Sequence, residues 1–301
     1  MRLGHFDLNL LVTLDALLET CSITRASERL HIGASATSSA LGRLREHFQD
    51  ELLVQVGRRM TPTPLALQLR GPVRELILRT QATLSARTTF DPTVAQRRFV
   101  INATDYATIV LLAPLAQRLE SLAPGLSIDI VALGDSNLQQ LERGETDLAI
   151  YPSRNASPDH PTAHLLSEDH TCLVWTGHHL TGERMGFDDY MAASHVAARF
   201  GEQRIATFEH WFLQEHQVER RIDVSASSFN ALPFLIVGSQ RVATLQRRLA
   251  RMYVRLLPLR MIEPPFPIPP LELVMQWNRH QDLDPGLAWL RAQLMDVARV
   301  A

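Results

Sequence analysis

The stretch from Ser22 to Phe48, SITRASERLHIGASATSSALGRLREHF, constrains the chain most, because its apolar residues recur at helical spacing on both sides of a short interruption. Ile23, Ala26 and Leu30 mark one stripe, His31-Ile32-Gly33 breaks it, and Ala36, Ala40, Leu41 and Leu44 resume it. Two short helices joined by a tight turn follow from that pattern. Away from the stripe, the second helix carries Ser35, Thr37, Ser38, Ser39, Arg43 and Arg45, and Thr24 stands at the start of the first. Short hydroxyl side chains let a helix approach base edges closely, and arginine pairs with guanine or phosphate. An ordinary helical hairpin with a solvated polar face has the same spacing, so this segment alone leaves both readings open.

The flanks narrow the choice. Upstream, Phe6, Leu8, Leu10, Leu11, Leu14, Leu17 and Leu18 make a strongly apolar helix that must pack against a neighbour. Downstream, Leu52-Leu53-Val54-Gln55-Val56 and the basic tip around Arg58 read as a two-stranded wing. Asp7 to Leu11, Ala26 with Leu30, Ser38-Ser39, Arg43-Leu44-Arg45, Arg58 at the wing and Thr61 to Pro64 together resemble the winged helix-turn-helix of LysR-type transcriptional regulators. The resemblance implies double-stranded operator DNA as a partner, with Thr24, Ser35, Thr37, Ser38, Ser39, Arg43, Arg45 and Arg58 as contact candidates. One departure stands out: where the family usually begins its recognition helix Ser-Gln-Pro-Ala, this chain has Gly33-Ala34-Ser35-Ala36, without the glutamine that often touches a base.

Charge is divided unevenly. Residues 1–98 hold 13 Arg against 9 Asp and Glu, and residues 99–301 hold 17 against 23, within a net formal charge of −2. A mildly basic head on an acidic body suits a DNA reader joined to a sensor better than a protein that coats nucleic acid. No lysine occurs, so every basic contact to phosphate is left to arginine. At 46% hydrophobic and 21% charged over 301 residues, the chain has material for two or three cores. Cys21 and Cys172 read as reduced thiols, no apolar run reaches the length of a membrane span, and the N-terminus lacks the order of a secretion signal, so a cytoplasmic protein is expected.

Beyond the wing, Leu65, Leu69, Val73, Leu76, Ile77, Thr80 and Leu84 repeat at threes and fours on an otherwise polar helix. One narrow stripe on such a helix asks for a partner helix, and the resemblance likewise implies a homodimer or homotetramer. Gly71-Pro72 predicts a kink or break midway. From residue 97 the periodicity alternates: strands at 98–103, 126–133, 147–151 and 272–277, helices at 107–121, 137–143 and 286–298, and between them a second set of segments at 171–176, 187–193, 195–200, 207–217, 222–226, 230–238, 242–245 and 247–254 predict open parallel sheets with helices on both faces. The expected fold class is α/β, with a winged helix-turn-helix over 1–62, a linker helix over 63–90 and a two-lobed sensor over 91–301. Its first lobe would take about 97–160 plus the C-terminal part, its second about 165–265. The resemblance extends to this sensor, whose family shape is like that of periplasmic binding proteins.

Ligands in such sheets bind beyond the carboxyl ends of strands. Thr104 and Asp105 sit at such an end, although one of them is also expected to cap the following helix. Phe90 to Pro92, Ala103 to Asp105, His170 with Cys172-Leu173, and Thr244 to Ala250 resemble the branch of the family that responds to aromatic effectors such as salicylate-type acids and flavonoids. That likeness implies an inter-lobe pocket near Thr104, His170, Arg204 and Arg248. Chemically, Arg204 or Arg248 would pair with a carboxylate or phenolate, His170 would donate to it, and Phe200 and Phe229 would stack on a ring. A regulator of the same family sensing a non-aromatic metabolite is the alternative. Metal binding by His170 and Cys172, or by Asp159, His160 and His164, lacks further ligands at suitable spacing, and no cofactor is expected. A solute-binding protein would not need the first 90 residues. An enzyme would need a nucleophile or acid-base set, and the Gly33 to Thr37 run lies in a helix without the preceding strand that a serine elbow requires.

Overall fold

Leu10, Leu14, Leu17 and Leu18 are buried on one face of the helix Asn9–Thr20 (α1), which ends where Cys21 turns left-handed at φ 46°. The computed structural model describes residues 6–57, 59–84, 90–200, 207–217 and 219–300, in two compact units, Met1–Ala86 and Arg87–Ala301. In the first, Ser22 caps Ile23–Leu30 (α2), its hydroxyl accepting from the Arg25 N–H at 3.3 Å, and His31 at φ 53° makes the turn into Ala34–Phe48 (α3). The inner face of α3 is Thr37, Leu41 and Leu44, so the expected stripe shifts by one residue: Thr37 is fully buried and Ala36 is exposed. Counting back at helical spacing from Leu41 and Leu44 lands on 37, not 36. The wing is the antiparallel pair Leu53–Val56 (β1) and Arg59–Pro62 (β2), with Gly57 at φ +64° at its turn. Helix Pro64–Leu84 (α4) packs Ala66 and Val73 with α1 into one core, and Arg74 pairs with Asp15. The expected break at Gly71-Pro72 does not occur, since α4 continues through Pro72. Part of the supposed partner stripe, Leu69, Val73 and Ile77, therefore meets the chain's own core, while Leu76 remains exposed.

The second unit begins with Arg97–Ala103 (β3). A short helix, Asp105–Ala107 (α5), continues through a π turn at Thr108–Leu112 into Ala113–Leu122 (α6). Leu126–Ala132 (β4), Asn137–Glu142 (α7), Leu148–Pro152 (β5) and Thr162–Glu168 (β6) follow. The chain then crosses at Asp169 into the second lobe: His170–Trp175 (β7), Phe187–Ala192 (α8), Ser194–Ala198 (β8), Thr207–His216 (α9), Ile222–Ala226 (β9), Leu232–Ile236 (α10), Arg241–Gln246 (β10), Arg247–Tyr253 (α11) and Leu259–Ile262 (β11). It returns through Leu271–Gln276 (β12) and Pro285–Val300 (α12). The sheets order as β4-β3-β5-β12-β6 and β11-β7-β10-β8-β9. Both are mixed, not parallel: β12 runs against β5 and β6, and β7 runs against β10 and β11. Strands returning across the two crossovers meet their neighbours head to tail. Phe99, Ile101, Leu148, Ile150 and Met275 line the buried face of the first sheet, covered by Leu111 and Leu115 and by Leu287, Leu290 and Leu294 of α12.

Candidate functional site

Two faces carry chemistry, one in each unit. In the first unit, Ser35, Ser38, Ser39 and Arg43 are exposed on α3, with Thr24 exposed on α2. Arg43 Nη1 lies 3.5 Å from the Asp7 carboxylate and its side chain is 57% exposed, which leaves it open to solvent. Two expected contact residues do not belong to this face. The Thr37 hydroxyl is buried and donates to the Gly33 carbonyl at 3.3 Å. Arg45 donates from Nε to the Glu51 carbonyl and from Nη2 to the Leu53 carbonyl, each at 2.8 Å, and so ties α3 to the wing. Arg58 lies outside the described residues.

Between the lobes of the second unit is a cavity of about 530 Å³. Its walls come from the carboxyl ends of strands, where the sheet geometry leaves a crevice. Thr104 follows β3, Tyr151 to Asn155 end and follow β5, Ala197, Ala198 and Phe200 end and follow β8, and Thr244 to Gln246 end β10; His170 starts β7, and Trp211 and Phe229 close one side. Phe200 and Phe229 pack with ring centroids 5.0 Å apart. Thr104, His170, Phe200 and Phe229 are thus brought together as expected, while Arg204 lies outside the described residues.

Most polar groups on the walls are already engaged. Thr104 Oγ1 accepts from the Ala107 N–H at 3.2 Å, the Tyr151 hydroxyl donates to Gln276 Oε1, and Glu272 is held by Ser167 and His164 at 2.6 and 2.7 Å. Burial pushes the Tyr151 phenol up to about 12 and lowers His170 to about 4, so both are neutral near pH 7. Two groups differ. Arg154, at the rim just after β5, has no ion pair or hydrogen bond among the described residues; its outer side meets solvent, and desolvation of the side facing the cavity lowers its pKa. Gln246, 2% exposed, has its Oε1 buried without a hydrogen-bond partner.

Asp105 and Arg248 do not line the cavity; they bind the lobes to each other. Asp105 Oδ2 accepts from Ser228 Oγ at 2.6 Å and from the Asn230 N–H at 2.9 Å. Glu168, buried at the crossover, accepts from the Tyr106 hydroxyl at 2.5 Å, from Arg248 Nη1 at 2.6 Å and from the Arg248 backbone N–H at 3.0 Å. Burial first and the Glu168 carboxylate second raise the Tyr106 pKa far above the usual phenol range. Arg248 is therefore neutralised by a carboxylate of its own chain, which corrects its assignment as the effector's cation. Arg154, Gln246, Tyr106, Tyr151 and Trp211 were not anticipated. The rule that marked Thr104, applied to every strand end, finds Arg154 and Gln246. Three or more His, Cys, Asp or Glu placed to hold a metal ion do not occur among the described residues. His164 belongs to strand β6 and pairs with Glu272. Cys172 is buried, with its thiol pushed up to about 12 by burial.

Residues 8–67 match the family described as bacterial regulatory helix-turn-helix protein, lysR family, and residues 93–299 match LysR substrate binding domain. Nodulation protein D 1 of Bradyrhizobium elkanii is 37% identical over 99% of this chain and 95% of its own length. Nodulation protein D 2 of Rhizobium tropici is also 37% identical, with the same coverage. Among solved structures, a probable transcriptional regulator of Pseudomonas aeruginosa, PA0477, is 28% identical, covers 98% of both chains and superimposes with a TM-score of 0.66. A helix-turn-helix head and a two-lobed sensor, both matched over nearly their whole length, make this chain a member of the LysR family of transcriptional regulators, whose members bind DNA and small-molecule effectors and are not enzymes.

Proposed function

We propose that this regulator reads operator DNA through α3 and the wing, and that a small anionic aromatic compound held between the sensor lobes controls that reading. The observation that carries the effector class is the pairing of an aromatic wall, Phe200 against Phe229, with an arginine, Arg154, that has no protein counter-ion among the described residues. An aromatic wall in a cavity whose other polar groups are mostly engaged suits a ring, and an uncompensated guanidinium suits a carboxylate or phenolate. Thr104, His170, Phe200 and Phe229 keep their assignment as effector contacts, and Arg154 takes the role first given to Arg248. On the DNA side, Ser35, Ser38, Ser39 and Arg43 of α3, with Thr24 and the wing's Arg58, are the proposed contacts. Acting on the chromosome, the protein works in the cytoplasm, as a homodimer or homotetramer paired along α4, where Leu76 is 52% exposed.

Effector and lobe ties are neighbours in sequence, which supports a coupling route. Thr104 directly precedes Asp105, Tyr106 both lines the cavity and bonds Glu168, and Phe229 lies between Ser228 and Asn230. A ring pressed on Thr104 and Phe229 acts on the groups that fix the lobe angle, so it favours one lobe arrangement over another. The test is calorimetry with a panel of benzoates and phenols, paired with gel shifts on the DNA upstream of the gene. Binding of ring acids that alters the gel shift supports the reading; binding only of aliphatic acids or amines refutes it.

A further inference from the structure

Gln246 ends β10 with its side chain on the cavity wall, across the strand pair from His170. At 2% exposure its Oε1 is buried and accepts no hydrogen bond. A buried acceptor without a donor is unfavourable, so residues of this kind are normally paired. The neighbouring wall hydroxyls are committed elsewhere among the described residues. The Tyr106 and Tyr151 hydroxyls point to Glu168 and Gln276, and Thr244 Oγ1 receives Arg220 Nη1 at 3.2 Å and lies 2.8 Å from the Tyr190 hydroxyl. The cavity therefore holds a buried acceptor at one place and an exposed cation, Arg154, at its rim.

We infer that Gln246 selects the effector's ring substituent: resting on the aromatic-acid reading above, it takes the hydrogen of a ring hydroxyl while Arg154 holds the anionic group. The effector class narrows to hydroxylated aromatic acids, with the hydroxyl at the buried end and the acid at the rim. Sites built to pair a ligand hydroxyl discriminate strongly against the analogue that lacks it, because the protein group is then left unpaired.

The test is calorimetry on the full chain with benzoate, 3-hydroxybenzoate and 4-hydroxybenzoate, in the wild type, Gln246→Leu and Arg154→Gln. The wild type is expected to bind one hydroxybenzoate about tenfold or more tighter than benzoate. Gln246→Leu should bring the two within about twofold while benzoate still binds, and should not lower the melting temperature, because it removes a buried unpaired group. Gln246→Met serves the same purpose with an unbranched side chain. Arg154→Gln should weaken all three acids alike and preserve the hydroxyl preference. A preference that survives both Gln246 substitutions, or a wild type with no preference, overturns this assignment and leaves the aromatic-acid reading standing. Failure of all three acids to bind the wild type overturns both.

Discussion

Removing the Glu168 carboxylate should destabilise the sensor unit far more than removing any exposed charge. Glu168→Ala leaves the buried Tyr106 hydroxyl without its 2.5 Å acceptor and the Arg248 guanidinium, 32% exposed, without its counter-ion at 2.6 Å. Breaking a buried pair from one side costs about 3–5 kcal/mol, and partial exposure of Arg248 places this case near the lower end, at about 3 kcal/mol. For a unit of this size that corresponds to a fall of about 6–12 °C in melting temperature. Differential scanning calorimetry of Glu168→Ala, Arg248→Met and the double variant measures it. The double variant should be less destabilised than the sum of the singles, because the apolar replacement no longer strands a charge. A loss under about 2 °C for Glu168→Ala, or strict additivity, would show that the Tyr106, Glu168 and Arg248 group does not hold the lobes.

On the DNA face, Ser38→Ala and Arg43→Ala should each weaken operator binding by about 1–3 kcal/mol at unchanged melting temperature; Thr37→Asp should instead unfold the head, because it places a charge in a fully buried site, and circular dichroism separates the two effects. Arg45→Ala should loosen the wing without acting as a lost base contact, visible as faster amide exchange at Leu53 and Val54. Acidification should weaken the sensor: the folded His170 resists protonation down to about pH 4, whereas the unfolded chain takes the proton near 6.5. Its stabilising contribution is complete above about 6.5 and declines by about 1.4 kcal/mol per pH unit as pH falls from there toward 4. Thermal melts from pH 7 to 5 should fall less steeply in His170→Asn than in wild type, and equal slopes would refute the burial argument.

What the sequence displayed and what it hid differ for physical reasons. Strong periodicity made α1, α2 and α3 readable, but a single-residue ambiguity in the stripe exchanged Ala36 for Thr37, since alanine and threonine both fit a helix interior. Strand β6 went unseen because TAHLLSE does not alternate: Leu165 and Leu166 are buried in succession, opposite a register shift in β12. Strand β11 is only four residues long, too short for an alternating pattern to stand out. At the cavity, Thr104, His170, Phe200 and Phe229 were legible from strand ends and family likeness. Arg248 was misjudged because its carboxylate partner is 80 residues away, and no local spacing shows such a pair. Arg154 and Gln246 matter through what does not bond to them, which only the folded structure exposes.

The central claim is that a ring acid between the lobes governs DNA reading by the head. Fluorescence anisotropy of the full chain on labelled DNA from upstream of its gene, with excess unrelated competitor, tests it directly when repeated with and without 3- or 4-hydroxybenzoate. Sequence-selective binding should weaken in Arg43→Ala, that binding or its anisotropy plateau should shift on adding the acid, and Arg154→Gln should lose the shift alone. Binding that is displaced equally by any DNA, or an acid-induced shift that persists undiminished in Arg154→Gln, would contradict it.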